Sequence, residues 1–249
     1  MPTPSETCTC PDLFHRRRFL GASFAAGATA LAGTGAFSES ARADALTSAQ
    51  RDKLTPDAIL ALMRKGNKRF SSGGREAHNY LAQQRASAAG QYPFAILLSC
   101  IDSRAPAETI MDLRIADVFN SRVAGNIESP DVLGGMEFAC KLMGSKVILV
   151  MGHTACGAIK GAIDSVQLGN LTGLLDKIKP AVAATEYTGE RTSTNYAFVD
   201  AVARKNVELT IGNIRNNSPV LAGMESSGII RIAGSMYNLK TGVIDFFGA

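Results

Sequence analysis

Apart from Arg16–Arg17–Arg18, basic residues are scattered along this 249-residue chain, and the formal charge is only +4. Nothing forms the basic stripe that nucleic-acid binding needs, so charge gives that class of partner little support and none is expected. Strongly apolar runs of about 20 residues, the length a bilayer span requires, are also missing. The one long apolar-leaning stretch, residues 21–37, is built largely from Gly, Ala, Ser and Thr. Cysteine is scarce. Cys8 and Cys10 precede residue 44, leaving Cys100, Cys140 and Cys156, an odd number that does not suit a closed disulfide framework. No internal repeat of fixed period is visible. The full chain is 46% hydrophobic, enough for one sizeable core and one domain.

Residues 1–43 read as an address. His15-Arg16-Arg17-Arg18-Phe19-Leu20 precedes the weakly apolar run, and Ala41-Arg42-Ala43 follows it in the A-x-A form of a cleavage site. The arginine pair followed by x-Phe-Leu makes the segment resemble a twin-arginine export signal. The expectation is therefore a signal at 1–43, a mature domain at 44–249 without a stable membrane span, and a periplasmic or otherwise extracytoplasmic location. Removing four basic and three acidic residues with the signal leaves a charge of +3.

Along the mature chain, Ile59, Leu60, Met63 and Phe70 predict a helix over 54–70, with Thr55-Pro56-Asp57 as cap and first turn. Ser71-Ser72-Gly73-Gly74 breaks it, which is compatible with either an arm or a helix packed on its own subunit. A shorter helix is expected over 78–89. Residues 94–99 and 146–151 are short, uniformly apolar runs that predict strands buried on both faces, with another strand at 117–123. Helices are expected near 107–112 and over 132–143, 171–186 and 195–216. Two β-like runs at 228–233 and 242–247 complete the pattern. The alternation predicts a single α/β domain with a mainly parallel sheet flanked by helices and an antiparallel C-terminal edge strand.

Two buried strands end in reactive residues. Cys100 closes the first, and His153 and Cys156 lie just past the third, at the strand ends where open α/β sheets gather ligands. Two thiolates and one imidazole are ligand types preferred by Zn²⁺, and three protein ligands leave the fourth position that a catalytic site keeps open. Asp102 and Arg104 follow Cys100 in Cys-x-Asp-x-Arg, a spacing suited to a carboxylate beside the metal held bidentately by a guanidinium. Cys140, between Phe138 and Leu142, reads as core packing, and His78 as a surface or interface residue.

Cys100-Ile101-Asp102-Ser103-Arg104, Arg122-Val123-Ala124-Gly125-Asn126 and Gly152-His153-Thr154-Ala155-Cys156-Gly157, in this order, resemble the β-class carbonic anhydrase pattern. The match runs from about residue 54 to 247 and includes the closing segment Gly234 to Gly242. Val123 departs from the Asn common at that position. The resemblance implies one Zn²⁺ per subunit on Cys100, His153 and Cys156, and Asp102–Arg104 as an orienting pair. It implies reversible hydration of CO₂ to bicarbonate and a proton by zinc-bound hydroxide. A closed form in which Asp102 becomes the fourth zinc ligand, and a homodimer or assembly of dimers with an N-terminal helical arm, are family features. Two alternatives remain open. One is hydrolysis of a CO₂-like substrate, carbonyl sulfide or carbon disulfide, at the same site. The other is a non-catalytic zinc or thiol protein with Cys100 and Cys156 oxidised.

Overall fold

The computed structural model describes residues 45–248, so the signal expected at 1–43 lies outside the described residues. Thr47 accepts from the Gln50 N–H while the Gln50 side chain takes the Thr47 N–H, a reciprocal cap that starts α1 (Ser48–Asp52). Thr55 caps α2 (Pro56–Ser71), with proline at the position where a missing N–H costs nothing. Chain order continues with α3 (Tyr80–Ser87), β1 (Ala95–Ser99), α4 (Ala107–Ile110) and β2 (Val118–Arg122). A 3₁₀ turn, Ala124–Asn126, leads to α5 (Pro130–Glu137), which runs into a π-helical turn, Phe138–Leu142, and then β3 (Val147–His153). After it come α6 (Gly157–Ile163), α7 (Gly169–Asp176), α8 (Lys179–Ala184), α9 (Tyr196–Asn217), α10 (Pro219–Ser226), β4 (Arg231–Tyr237) and β5 (Ile244–Phe247).

The strands form one sheet in the order β2-β1-β3-β4-β5, parallel except for β5, which pairs antiparallel with β4. This is the predicted α/β fold with its antiparallel edge. Both faces are covered. Ala95, Leu97, Leu149 and Met151 pack with Ile59, Leu60 and Met63 of α2 and Ile110 of α4. On the opposite face Ile96, Leu98, Ile148 and Val150 pack with Met136 of α5 and with Phe198, Val202 and Val207 of α9. Alternate residues of β1 and β3 thus feed different cores, and all are buried, which is why these strands read as continuous apolar runs.

The chain leaves β1 through α4 toward β2 on one side, and leaves β3 through α6–α10 toward β4 on the other. The carboxyl ends of β1 and β3 therefore flank a topological switch point, the usual ligand crevice of an open α/β sheet.

Several boundaries differ from the sequence reading. β3 is longer than expected, so His153 is its last residue rather than lying past it. The single helix expected over 171–186 is two, α7 and α8, with Pro180 in the first turn of α8, where proline is tolerated. Pro219 stops α9 and also begins α10, because Ser218 ends one helix and caps the next through the Leu221 N–H. β4 begins at Arg231 rather than 228, since Gly228, at φ +70°, still belongs to the turn closing α10. The short helices α1 and α6 had no clear apolar period to announce them.

Within the one chain described, the first long helix packs on its own sheet. Asn67 of α2 donates to the Ile110 and Gly242 carbonyls and accepts from the Ile244 N–H, tying α2 to α4 and to the end of the sheet. Gly66 lets the helix sit directly on backbone, for a Cβ there would stand 1.9 Å from the Met111 carbonyl oxygen. Of the two places expected for His78, surface or interface, the surface one is corrected. Its side chain is 5% exposed, its Nε2 lies 2.9 Å from Asp112 Oδ1 and its Nδ1 lies 3.2 Å from Gln83 Nε2.

Candidate metal centre

Three side chains converge at the switch point. Cys100 follows β1 directly, His153 ends β3, and Cys156 precedes α6; their ligand atoms all lie within 4.8 Å of one another, and all three residues are buried. Both cysteines are free thiols, with sulfurs 4.0 Å apart, against the ~2.05 Å of a disulfide. Two thiolates on one tetrahedral Zn²⁺ at about 2.3 Å each stand about 3.8 Å apart, so the observed spacing suits the ion.

The imidazole is oriented for the same purpose. His153 Nδ1 lies 2.9 Å from the Thr154 carbonyl, which makes Nδ1 the protonated nitrogen and leaves Nε2 as the acceptor. Nε2 is buried and has no hydrogen-bond partner among the described residues. An orphaned acceptor of this kind is costly unless something occupies it, and a metal ion fits.

One hydrogen bond sets the two sulfurs apart. The Cys156 thiol hydrogen-bonded to Cys100 favours the Cys100 thiolate despite burial, aided by His153 and by the Gly125 N–H, 3.4 Å from Cys100 Sγ. The same bond and burial push the Cys156 pKa up. Burial alone would lower the His153 pKa, but the neighbouring Cys100 thiolate raises it.

Asp102 stands at the rim. Arg104 Nε and Nη2 donate to its two carboxylate oxygens at 2.9 and 2.7 Å, and the Arg104 N–H donates to Oδ1 at 2.9 Å. These bonds outweigh partial burial and hold the Asp102 pKa at about 2. Asp102 Oδ2 lies 3.8 Å from His153 Nε2. Beside the rim, a cavity of about 780 Å³ is lined by Arg104, Thr154, Tyr196, Asp200, Leu239 and Lys240, among others.

The five residues singled out in the sequence are thus brought together, whereas Cys140 is buried in the core on the π-helical turn and outside the cluster. Burial pushes the Cys140 thiol up to about 12. Other residues support the ligands without having been singled out. Arg122 Nε donates to the Cys100 carbonyl at 2.9 Å and its Nη2 to the Asp102 carbonyl at 2.6 Å, fixing the Cys-x-Asp-x-Arg loop. Asn206, buried on α9, donates to the Gly125 carbonyl at 2.7 Å. A polar residue on the apolar face of a helix, between Ala203 and Val207, was the signal available for Asn206.

Comparison with known proteins is consistent with this geometry. Residues 95–244 match the family model described as carbonic anhydrase. Carbonic anhydrase 2 of Mycobacterium tuberculosis is 31% identical over 193 residues, which cover 75% of this chain and 90% of the relative. Carbonic anhydrase of Pseudomonas aeruginosa is 30% identical, covering 71% of this chain and 82% of the relative. Among solved structures, one described among two tetrameric β-carbonic anhydrases of Sordaria macrospora aligns with a TM-score of 0.58 at 28% identity. That match covers 65% of this chain and 84% of that one.

Proposed function

The chain belongs to the carbonic anhydrase family, in its β class, and from that membership we propose that Cys100, His153 and Cys156 hold one Zn²⁺ for the reversible hydration of CO₂ to bicarbonate and a proton. The observation that carries this reading is the convergence of two thiols and one orphaned imidazole nitrogen, three ligands rather than four among the described residues, beside a clamped carboxylate. Bound there, Zn²⁺ supplies the Lewis acidity that lowers the pKa of water from about 15.7 to about 7. The protein supplies orientation. Asp102 is ionised at neutral pH and aimed by Arg104, so it accepts a hydrogen bond from the reacting water and leaves that oxygen's lone pair free for the CO₂ carbon. Arg122 keeps Cys100 and Asp102 in one rigid loop while this happens. Arg104, Asp200 and Lys240 line the adjoining cavity. Turnover of CO₂, carbonyl sulfide and carbon disulfide measured side by side tests the substrate: CO₂ is expected to be fastest, and negligible CO₂ hydration by a zinc-loaded chain contradicts the reading.

The enzyme acts outside the cytoplasm, delivered by residues 1–43 as a twin-arginine signal. What supports this is Arg16-Arg17-Arg18-Phe19-Leu20 ahead of a weakly apolar run and Ala41-Arg42-Ala43. Replacing Arg16 and Arg17 by Lys keeps the charge and is expected to trap the precursor in the cytoplasm; undiminished export of that variant contradicts the assignment. Its assembly is a homodimer or a multiple of one, a reading supported by the tetrameric description of the Sordaria relatives.

A further inference from the structure

The turn that carries Cys156 is held in an unfavourable shape. Ala155 has φ +53°, in the left-handed region that a residue with a Cβ rarely adopts. That torsion lets the chain leave His153 at the end of β3 and still present Cys156, at φ −66° and ψ 124°, toward Cys100 before α6 begins. Relaxing Ala155 to negative φ would rotate the Cys156 sulfur away from the other two ligands. Strain of this kind persists only when surrounding groups enforce it.

The enforcing contacts are visible. On one side the Thr154 N–H donates to the Tyr237 carbonyl at 2.9 Å, and the Leu239 N–H donates to Thr154 Oγ1 at 3.0 Å. On the other, the Ala155 N–H donates to Asp200 Oδ1 at 2.8 Å, a charge-assisted bond from the strained residue itself. Asp200 is half-buried on α9, a helix seated on the sheet through Phe198, Val199, Val202 and Val207. Six residues further along the same helix, Asn206 holds the carbonyl of Gly125, whose N–H faces Cys100 Sγ. One rigid helix therefore carries an anchor for each thiolate-bearing turn.

We infer that Asp200 is a positioning residue for the metal ligand Cys156, acting by locking Ala155 in its left-handed conformation. The inference rests on the assignment of Cys100, His153 and Cys156 as metal ligands. It requires a hydrogen-bond acceptor at position 200 but no charge there, and it becomes unnecessary if residue 155 adopts positive φ without cost, as glycine does.

The test uses the full chain loaded with Co²⁺ in place of Zn²⁺, following the visible absorption of the site and the rate of metal loss to a chelator. Asp200→Ala is expected to lose metal about tenfold or more faster, within the range for removing a ligand-orienting partner, and to shift the absorption bands. Asp200→Asn, which keeps the acceptor, is expected to remain within about threefold of the parent, as is the double variant Asp200→Ala, Ala155→Gly. Far-ultraviolet circular dichroism checks that each variant is folded. The inference is overturned if Asp200→Ala holds Co²⁺ like the parent, if Asp200→Asn fails as badly as Asp200→Ala, or if glycine at 155 brings no recovery. Failure of the parent chain itself to bind Co²⁺ would instead remove the metal-site assignment on which the inference rests.

Discussion

At the scale of single residues, ligand atoms are placed by neighbours that never touch the metal. Gly125 shows the constraint most sharply. Its φ is +71°, a Cβ there would meet Ile178 Cδ1 at 2.5 Å, and its N–H faces Cys100 Sγ. Gly125→Ala is expected to cost roughly 1–3 kcal/mol of stability, measured by urea denaturation, and to weaken metal binding with it. A variant as stable as the parent contradicts this account of the turn. Asp102→Asn removes a charge from the rim while leaving the three ligands in place. It is expected to retain zinc but lose about tenfold or more in kcat/KM for CO₂ hydration; loss of zinc together with activity would make Asp102 necessary to metal binding instead. The ligands and the Asp102–Arg104 pair were legible in the sequence because the chemistry demands those residue types at the ends of buried strands. Asp200 was not, since its partner Ala155 lies 45 residues away and an acid near the start of a long helix has many ordinary reasons to be there.

At the scale of elements, the sheet was legible and the helical connections were less so. β1 and β3 are buried on every residue, and an unbroken apolar run followed by a polar ligand marks such a strand clearly. By contrast, prolines at 180 and 219 sit in first turns, where they start α8 and α10, so reading proline only as a stop merges or omits helices. One tie of α2 was also invisible, because it runs from Arg69 to Asp112, which is fully buried and at φ +50°. Burial pushes its pKa up, but Arg69 at 2.6 Å, His78 at 2.9 Å and the Glu76 N–H at 3.1 Å more than compensate and hold it at about 2. A carboxyl depressed in the folded state stabilises fully above its unfolded pKa near 3.9, and that contribution fades as pH falls through about 2. Acid denaturation should therefore show a loss on the order of 2 kcal/mol between about pH 4 and pH 2 that is missing in Asp112→Asn. Identical acid profiles for parent and variant contradict the coupling.

At the scale of the whole molecule, the sheet's switch point brings together segments that are 53 residues apart in sequence, from Cys100 to His153, and α9 braces both. Equilibrium sedimentation of the mature chain is expected to give the mass of two chains or an even multiple; a stable monomer contradicts the assembly proposed. The central claim is that three protein ligands and the ion they hold carry the reaction, and it is reached most directly by stopped-flow CO₂ hydration as zinc is removed and returned. The account predicts about one Zn²⁺ per chain, activity that falls in proportion to metal removed and recovers on its return, and neither zinc nor activity in Cys100→Ser. Undiminished hydration by the zinc-free chain, or by Cys100→Ser, would contradict it.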